Sequence, residues 1–99
     1  MQLGIGLAVA TVLLVVLAPA YAQQGRWAEA QQSYFKAFSA DAENPDYAYN
    51  LAVSLDQLRQ PRQALDYYRR AITLAQTRTA NFDQVLARNR VQALTQAVR

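Results

Sequence analysis

The chain has no cysteine and no histidine. That excludes a disulfide framework, zinc sites built on thiolate or imidazole, Cys–His nucleophile pairs and the Ser-His-Asp triad. Glycine is nearly absent as well. Gly4, Gly6 and Gly25 are the three present, and they form no Gly-rich loop that could cradle a phosphate. Charged residues are 17% of the chain. The carboxylates Asp46 and Asp56 stand too far apart in sequence to read as an acid–base pair, and a solvated surface is their expected setting. No segment alternates apolar and polar residues as a half-buried strand does. The residues therefore point away from an enzyme, a metal site, a cofactor and a small-molecule substrate.

What is present is unevenly spread. Ninety-nine residues make one small domain at most. Apolar residues number 17 among residues 1–22 and 35 among residues 23–99, so only the second part has the composition of an ordinary globular protein. Charge is divided too. Residues 23–56 carry Arg26 and Lys36 against Glu29, Asp41, Glu43, Asp46 and Asp56, a net of −3. Residues 57–99 carry eight arginines against Asp66 and Asp83, a net of +6. A basic half invites a nucleic-acid reading. The arginines are scattered without a run or an accompanying motif, and solvated helix faces are the plainer reading.

Residues 1–22 admit three readings. Leu3 to Ala18 carries no charge and is followed by Pro19-Ala20-Tyr21-Ala22. An apolar run ending in Ala-x-Ala has the form of an export signal cleaved after Ala22, although the n-region lacks Lys and Arg. Leu3 to Ala22 is also about one bilayer core in helical length, so an uncleaved anchor is the second reading. These two place the chain in a bacterial periplasm or inner membrane. A packed repeat helix is the third, and it places the chain in the cytoplasm or makes it a piece of a longer repeat protein.

The third reading arises because the chain repeats. At an offset of 34 residues, Leu17 meets Leu51, Ala18 meets Ala52, Gln23 meets Gln57, Ala30 meets Ala64, Tyr34 meets Tyr68 and Ala37 meets Ala71. In Ala30-x-x-x-Tyr34-x-x-Ala37 and Ala64-x-x-x-Tyr68-x-x-Ala71 the offsets of four and seven lie on one helical stripe. Small residues there let two helix axes approach within 8–10 Å. Leu51, Ala52 and Leu55 supply a facing stripe, and Leu17, Ala18 and Tyr21 repeat it. Gly25 stands where the first helix pair must turn. Its counterpart is Arg59, which costs up to about 1 kcal/mol if the turn is left-handed.

On these residues, with Tyr49-Asn50-Leu51-Ala52-x-x-Leu55 and Gly25, the chain resembles the tetratricopeptide repeat (TPR) family. The resemblance implies an all-α fold of antiparallel helix-turn-helix repeats. Repeat 1 spans about residues 11–44 and repeat 2 about 45–78, within a helical domain of residues 23–98 that overlaps the apolar segment. Three features depart from the family: Ala42 where a unit usually ends in Pro, Arg59 for the turn Gly, and Pro19 inside a helix. Helices are expected over about 26–40, 45–58 and 61–75, with Asn44 capping Pro45 and Pro61 opening the third. A capping helix over about 82–98 closes the array. Asn81-Phe82-Asp83-Gln84 resembles a capping box at its start. Phe82, Leu86, Ala93 and Ala97 line one side of it, with Ala87, Val91, Leu94 and Val98 widening the stripe.

The resemblance further implies a groove lined by the first helix of each unit. In repeat 2 its candidate partner-binding residues are Asp46, Tyr49, Asn50, Val53, Asp56 and Gln57. The Asn50 amide can both donate to and accept from an extended peptide, or can bind a neighbouring repeat's backbone instead. Family members that clamp a C-terminal carboxylate use Lys, Asn and Arg here, and Tyr49 and Val53 occupy two of those positions, which argues against such a clamp. The aromatic residues, among them Trp27, Phe35, Tyr47 and Tyr67, could form a base-stacking platform, but Tyr34 and Tyr68 fall on the packing stripe and read as core. The stretch Asn44-Pro45 to Val53 also looks like TPR proteins of type IV pilus and related secretion assemblies. The expected function is a protein-interaction module taking a peptide or helix of a partner. Self-association or membrane association through residues 3–22 are further expectations, and a basic nucleic-acid-binding domain is the alternative.

Overall fold

The computed structural model describes residues 17–99. The greater part of the proposed signal or anchor, residues 1–16, lies outside them. Residues 17–23 are helical (α1), and four further helices follow: α2 Trp27–Ala40, α3 Pro45–Gln57, α4 Pro61–Leu74 and α5 Gln84–Ala97. No strand occurs among the described residues. None of the described helices is long and apolar enough to cross a membrane. Pro19 falls within α1 and is exposed.

The helix starts follow local chemistry. Asn44 Oδ1 accepts hydrogen bonds from the backbone N–H groups of Asp46 and Tyr47 at 3.0 and 3.2 Å, and Pro45 fills the first helical position. Pro61 does the same for α4, without a side-chain cap from Gln60. The capping box expected at Asn81 is not formed. Asp83 caps α5 instead, its Oδ1 accepting from Val85 N and Leu86 N at 2.9 and 3.2 Å. Asn81 is drawn elsewhere, as described below.

The turns within the two repeats share one geometry. Gly25 has φ +72° and Arg59 has φ +60°. Arg26 N donates to Tyr21 O at 2.9 Å and Gly25 N to Ala22 O at 3.0 Å. Thirty-four residues on, Gln60 N donates to Leu55 O and Arg59 N to Asp56 O, both at 3.0 Å. This is the hydrogen-bond pattern of a Schellman cap, whose left-handed residue is usually glycine. An ideal Cβ at Gly25 would meet nothing within 4 Å, so the demand at this position is on the backbone alone.

The core follows the repeated stripe. Ala30 and Ala64 are fully buried, as are Ala18 and Ala52, while Tyr34 and Tyr68 are 7% and 4% exposed. Leu51 and Leu55 join them from α3, and Tyr21 and Ala22 pack against the same cluster from α1. Helix α3 packs on both α2 and α4, and α4 packs on α5. Aromatic edges close the gaps: Phe38 meets Tyr67 at 5.6 Å and Tyr49 meets Tyr68 at 5.7 Å between ring centroids. The inward stripe of α5 is Ala87, Val91, Leu94 and Val98, of which Ala87 and Leu94 are buried. Leu86, Ala93 and Ala97 instead face solvent. Of the first expected set only Phe82, just before the helix, packs on the core, and within the helix it is the second set that turns inward.

Candidate functional site

The first helices of the repeats set the candidate groove, and α3 supplies its central wall. Its six candidate residues divide between two fates. Asp46, Tyr49 and Asp56 recur at offsets of three and seven, so they share a face, and that face meets α5 and the segment leading into it. Asp46 Oδ1 accepts from the backbone N–H groups of Asn81 at 2.8 Å and Phe82 at 3.2 Å, and Oδ2 from Asn81 Nδ2 at 3.3 Å. The Tyr49 ring stacks on Phe82, centroids 4.5 Å apart and planes parallel to within 1°.

Asp56 is held most firmly. Arg90 grips its carboxylate with both prongs, Nε to Oδ2 at 2.6 Å and Nη2 to Oδ1 at 2.7 Å, and Tyr68 Oη donates to Oδ2 at 3.0 Å. The Asp56 side chain is 15% exposed. The Arg90 guanidinium, helped by the Tyr68 hydroxyl, holds the Asp56 carboxyl below its ordinary range despite partial burial. Burial, followed by the neighbouring carboxylate, pushes the Tyr68 hydroxyl well above its ordinary value. This network joins α3, α4 and α5 at one point. The solvated setting expected for Asp46 and Asp56 is thus corrected: the segment leading into α5 brings donors to Asp46, and α5 itself brings Arg90 to Asp56.

Asn50, Val53 and Gln57 remain, spaced by three and four. Val53 leans on the core and is half-buried, Asn50 is half-buried, and Gln57 is exposed. The Asn50 side chain makes no hydrogen bond to another described residue, while its backbone carbonyl accepts from Ser54 Oγ at 3.0 Å. Gln57 and Asp56 border a cleft of about 630 Å³ whose other walls are Arg59, Pro61, Arg90, Leu94 and Ala97. The sequence reading missed Arg59 and Arg90 as members of this site. One signal was available, because Asp56 and Arg90 are themselves 34 residues apart, so a second step of the period sets opposite charges side by side. A separate hollow of about 370 Å³ lies against Phe38, Arg70 and Leu74, and no candidate residue lines it.

The basic half is partly neutralised by the fold. Arg78 pairs with Asp41 at 3.1 Å, Arg70 with Asp66 at 3.4 Å and Arg90 with Asp56. Among the described residues no group of carboxylates is placed to hold a metal ion. The aromatic residues considered as a stacking platform are largely spent on packing, since Tyr34, Phe38 and Tyr68 are buried and Tyr49 is stacked.

No curated protein matches the chain. Two family models do, each described as tetratricopeptide repeat. One matches residues 13–46 and the other residues 45–78. Together they span two thirds of the sequence and coincide with the two helix pairs whose turns and alanine contacts repeat. Repeats of this family generally mediate protein–protein interaction. The chain belongs to the tetratricopeptide repeat family.

Proposed function

We propose that the chain is a non-catalytic interaction module that receives an extended peptide or a helix of a partner protein along the Asn50–Val53–Gln57 row of α3. The observation that carries this is the division of the α3 residues. Asp46 and Tyr49 are engaged by Asn81 and Phe82, and Asp56 by Arg90 of α5. Asn50, Val53 and Gln57 form a row of a bifunctional amide, an apolar surface and a second amide. An amide on a rigid helix can pair with both the N–H and the C=O of a peptide backbone. Tyr49, stacked on Phe82, supplies no cation for a terminal carboxylate.

Selection of a random twelve-residue peptide library on the immobilised full chain tests this. Peptides should be enriched on the wild type and lost on Asn50→Arg, whose long side chain fills the row while suiting a helix. Enrichment that is indifferent to Asn50→Arg would place binding elsewhere and overturn the proposal. The bacterial-envelope setting also belongs to this proposal, resting on the apolar run Leu3–Ala18 and on the resemblance of residues 44–53 to TPR proteins of type IV pilus and secretion assemblies. Intact mass of the fractionated protein checks it. A chain starting at Gln23 in the periplasm, or an intact chain in the membrane fraction, supports it, and an intact chain in the cytosol refutes it.

A further inference from the structure

We infer that Arg59 is a specificity-determining residue that selects acidic peptide segments at the cleft between α3 and α5; this rests on the peptide-binding reading above. The chain makes the comparison within itself. Gly25 and Arg59 occupy the same left-handed turn, 34 residues apart, with the same pair of cap hydrogen bonds. Glycine meets that demand freely in the first repeat. In the second, a side chain is retained against the backbone preference, and strain of this kind collects where a residue has a task beyond the fold.

The place of the side chain supplies the task. Arg59 lines the cleft with Gln57 and Arg90 above an apolar lining of Pro61, Leu94 and Ala97. Asp56, the one carboxylate there, is already satisfied by Arg90 and Tyr68. Arg59 has no ion pair among the described residues. The cleft therefore carries one uncompensated positive charge beside apolar surface. The complementary occupant is a peptide with an Asp or Glu next to an apolar side chain. The guanidinium fork would take that carboxylate in a two-point hydrogen bond.

The test uses the full chain and the peptide library, displayed so that no free C-terminus is presented. Enriched peptides are resynthesised with an amidated end and a fluorophore, then titrated by anisotropy. Peptides rich in Asp or Glu beside an apolar residue should emerge, and Arg59→Gly should weaken them tenfold or more. Glycine suits the turn, so a thermal melt no lower than the wild type's excludes unfolding as the cause. Peptides without acidic enrichment, or affinity unchanged by Arg59→Gly, would overturn the inference while leaving the groove intact. Failure to enrich any peptide over Asn50→Arg would remove both. Tighter binding of a labelled random duplex of about 20 base pairs, lost with Arg59→Gly and with added salt, would assign the charge to nucleic acid and also overturn it.

Discussion

A single methyl group is all that Ala64 brings to the contact between α3 and α4, and the contact leaves no exposed surface around it. Ala64→Leu should overpack it and lower stability by roughly 1–3 kcal/mol in a denaturant melt. An unchanged midpoint would mean that this is not where the helices meet. Gly25 gives a cleaner backbone experiment, because a Cβ there has open space and only φ is at issue. Gly25→Ala should cost about 1 kcal/mol. Arg59→Gly should return a similar or smaller amount, and a loss of stability in that variant would contradict the strained turn. Ala64 was legible in the sequence because its residue recurs at the offset of 34, and the turn at Arg59 because the same offset carries Gly25 onto it. One Ala is unremarkable, but Ala30 with Ala64 and Gly25 with Arg59 at one offset report a repeated geometry.

Between elements, the Asp56–Arg90–Tyr68 network adds a polar tie to the apolar packing that holds α5 on the repeats. Arg90→Met keeps an unbranched apolar stem and removes the pairing. It should cost about 1–2 kcal/mol, reduced from the value for a buried pair because Arg90 is half exposed. Hydrogen exchange should then accelerate across residues 84–97 before it does in α3. The Asp56 carboxyl is held below its ordinary value of 3.8, so its contribution is fully present above that value. It is lost as pH falls through the ordinary value and then the lower folded one. The stability gap between wild type and Arg90→Met should therefore close below about pH 4. A gap constant from pH 6 to pH 3 would contradict the network. Helices α2, α3 and α4 were legible to within a residue or two, since Asn44-Pro45 and Pro61 mark starts by local chemistry. The interior of α5 was not. Its two apolar stripes are similar in sequence, and the side that turns inward is the one that also sets Arg90 opposite Asp56. Likewise the competition for Asn81 between capping α5 and binding Asp46 is settled by a residue 35 positions away, beyond any local reading.

At the scale of the whole molecule, two repeats and one closing helix form a short stack, and stacks of this kind draw their stability from neighbours. Tyr21 and Ala22 pack on the core beside the buried Ala18. A chain beginning at Gln23 would lack all three. It should melt at a lower temperature than the full chain or self-associate, as sedimentation velocity would show. A cooperative monomer of unchanged stability would mean that α1 contributes nothing. The period and the helix pairs could be read from the sequence. The choice among signal, anchor and repeat helix could not, because an apolar stripe ending in alanines serves all three. The candidate residues on α3 came from the resemblance, and which of them are engaged within the chain depended on contacts a full period away. The decisive measurement is a backbone amide chemical-shift map of the full chain titrated with a library-selected peptide. A peptide bound along α3 should move Asn50, Val53, Gln57 and Arg59 while Ala30 and Ala64 stay in place. Shifts confined to the α2–α4 side, at Phe35, Gln63 and Tyr67, would contradict the groove and with it the proposed function.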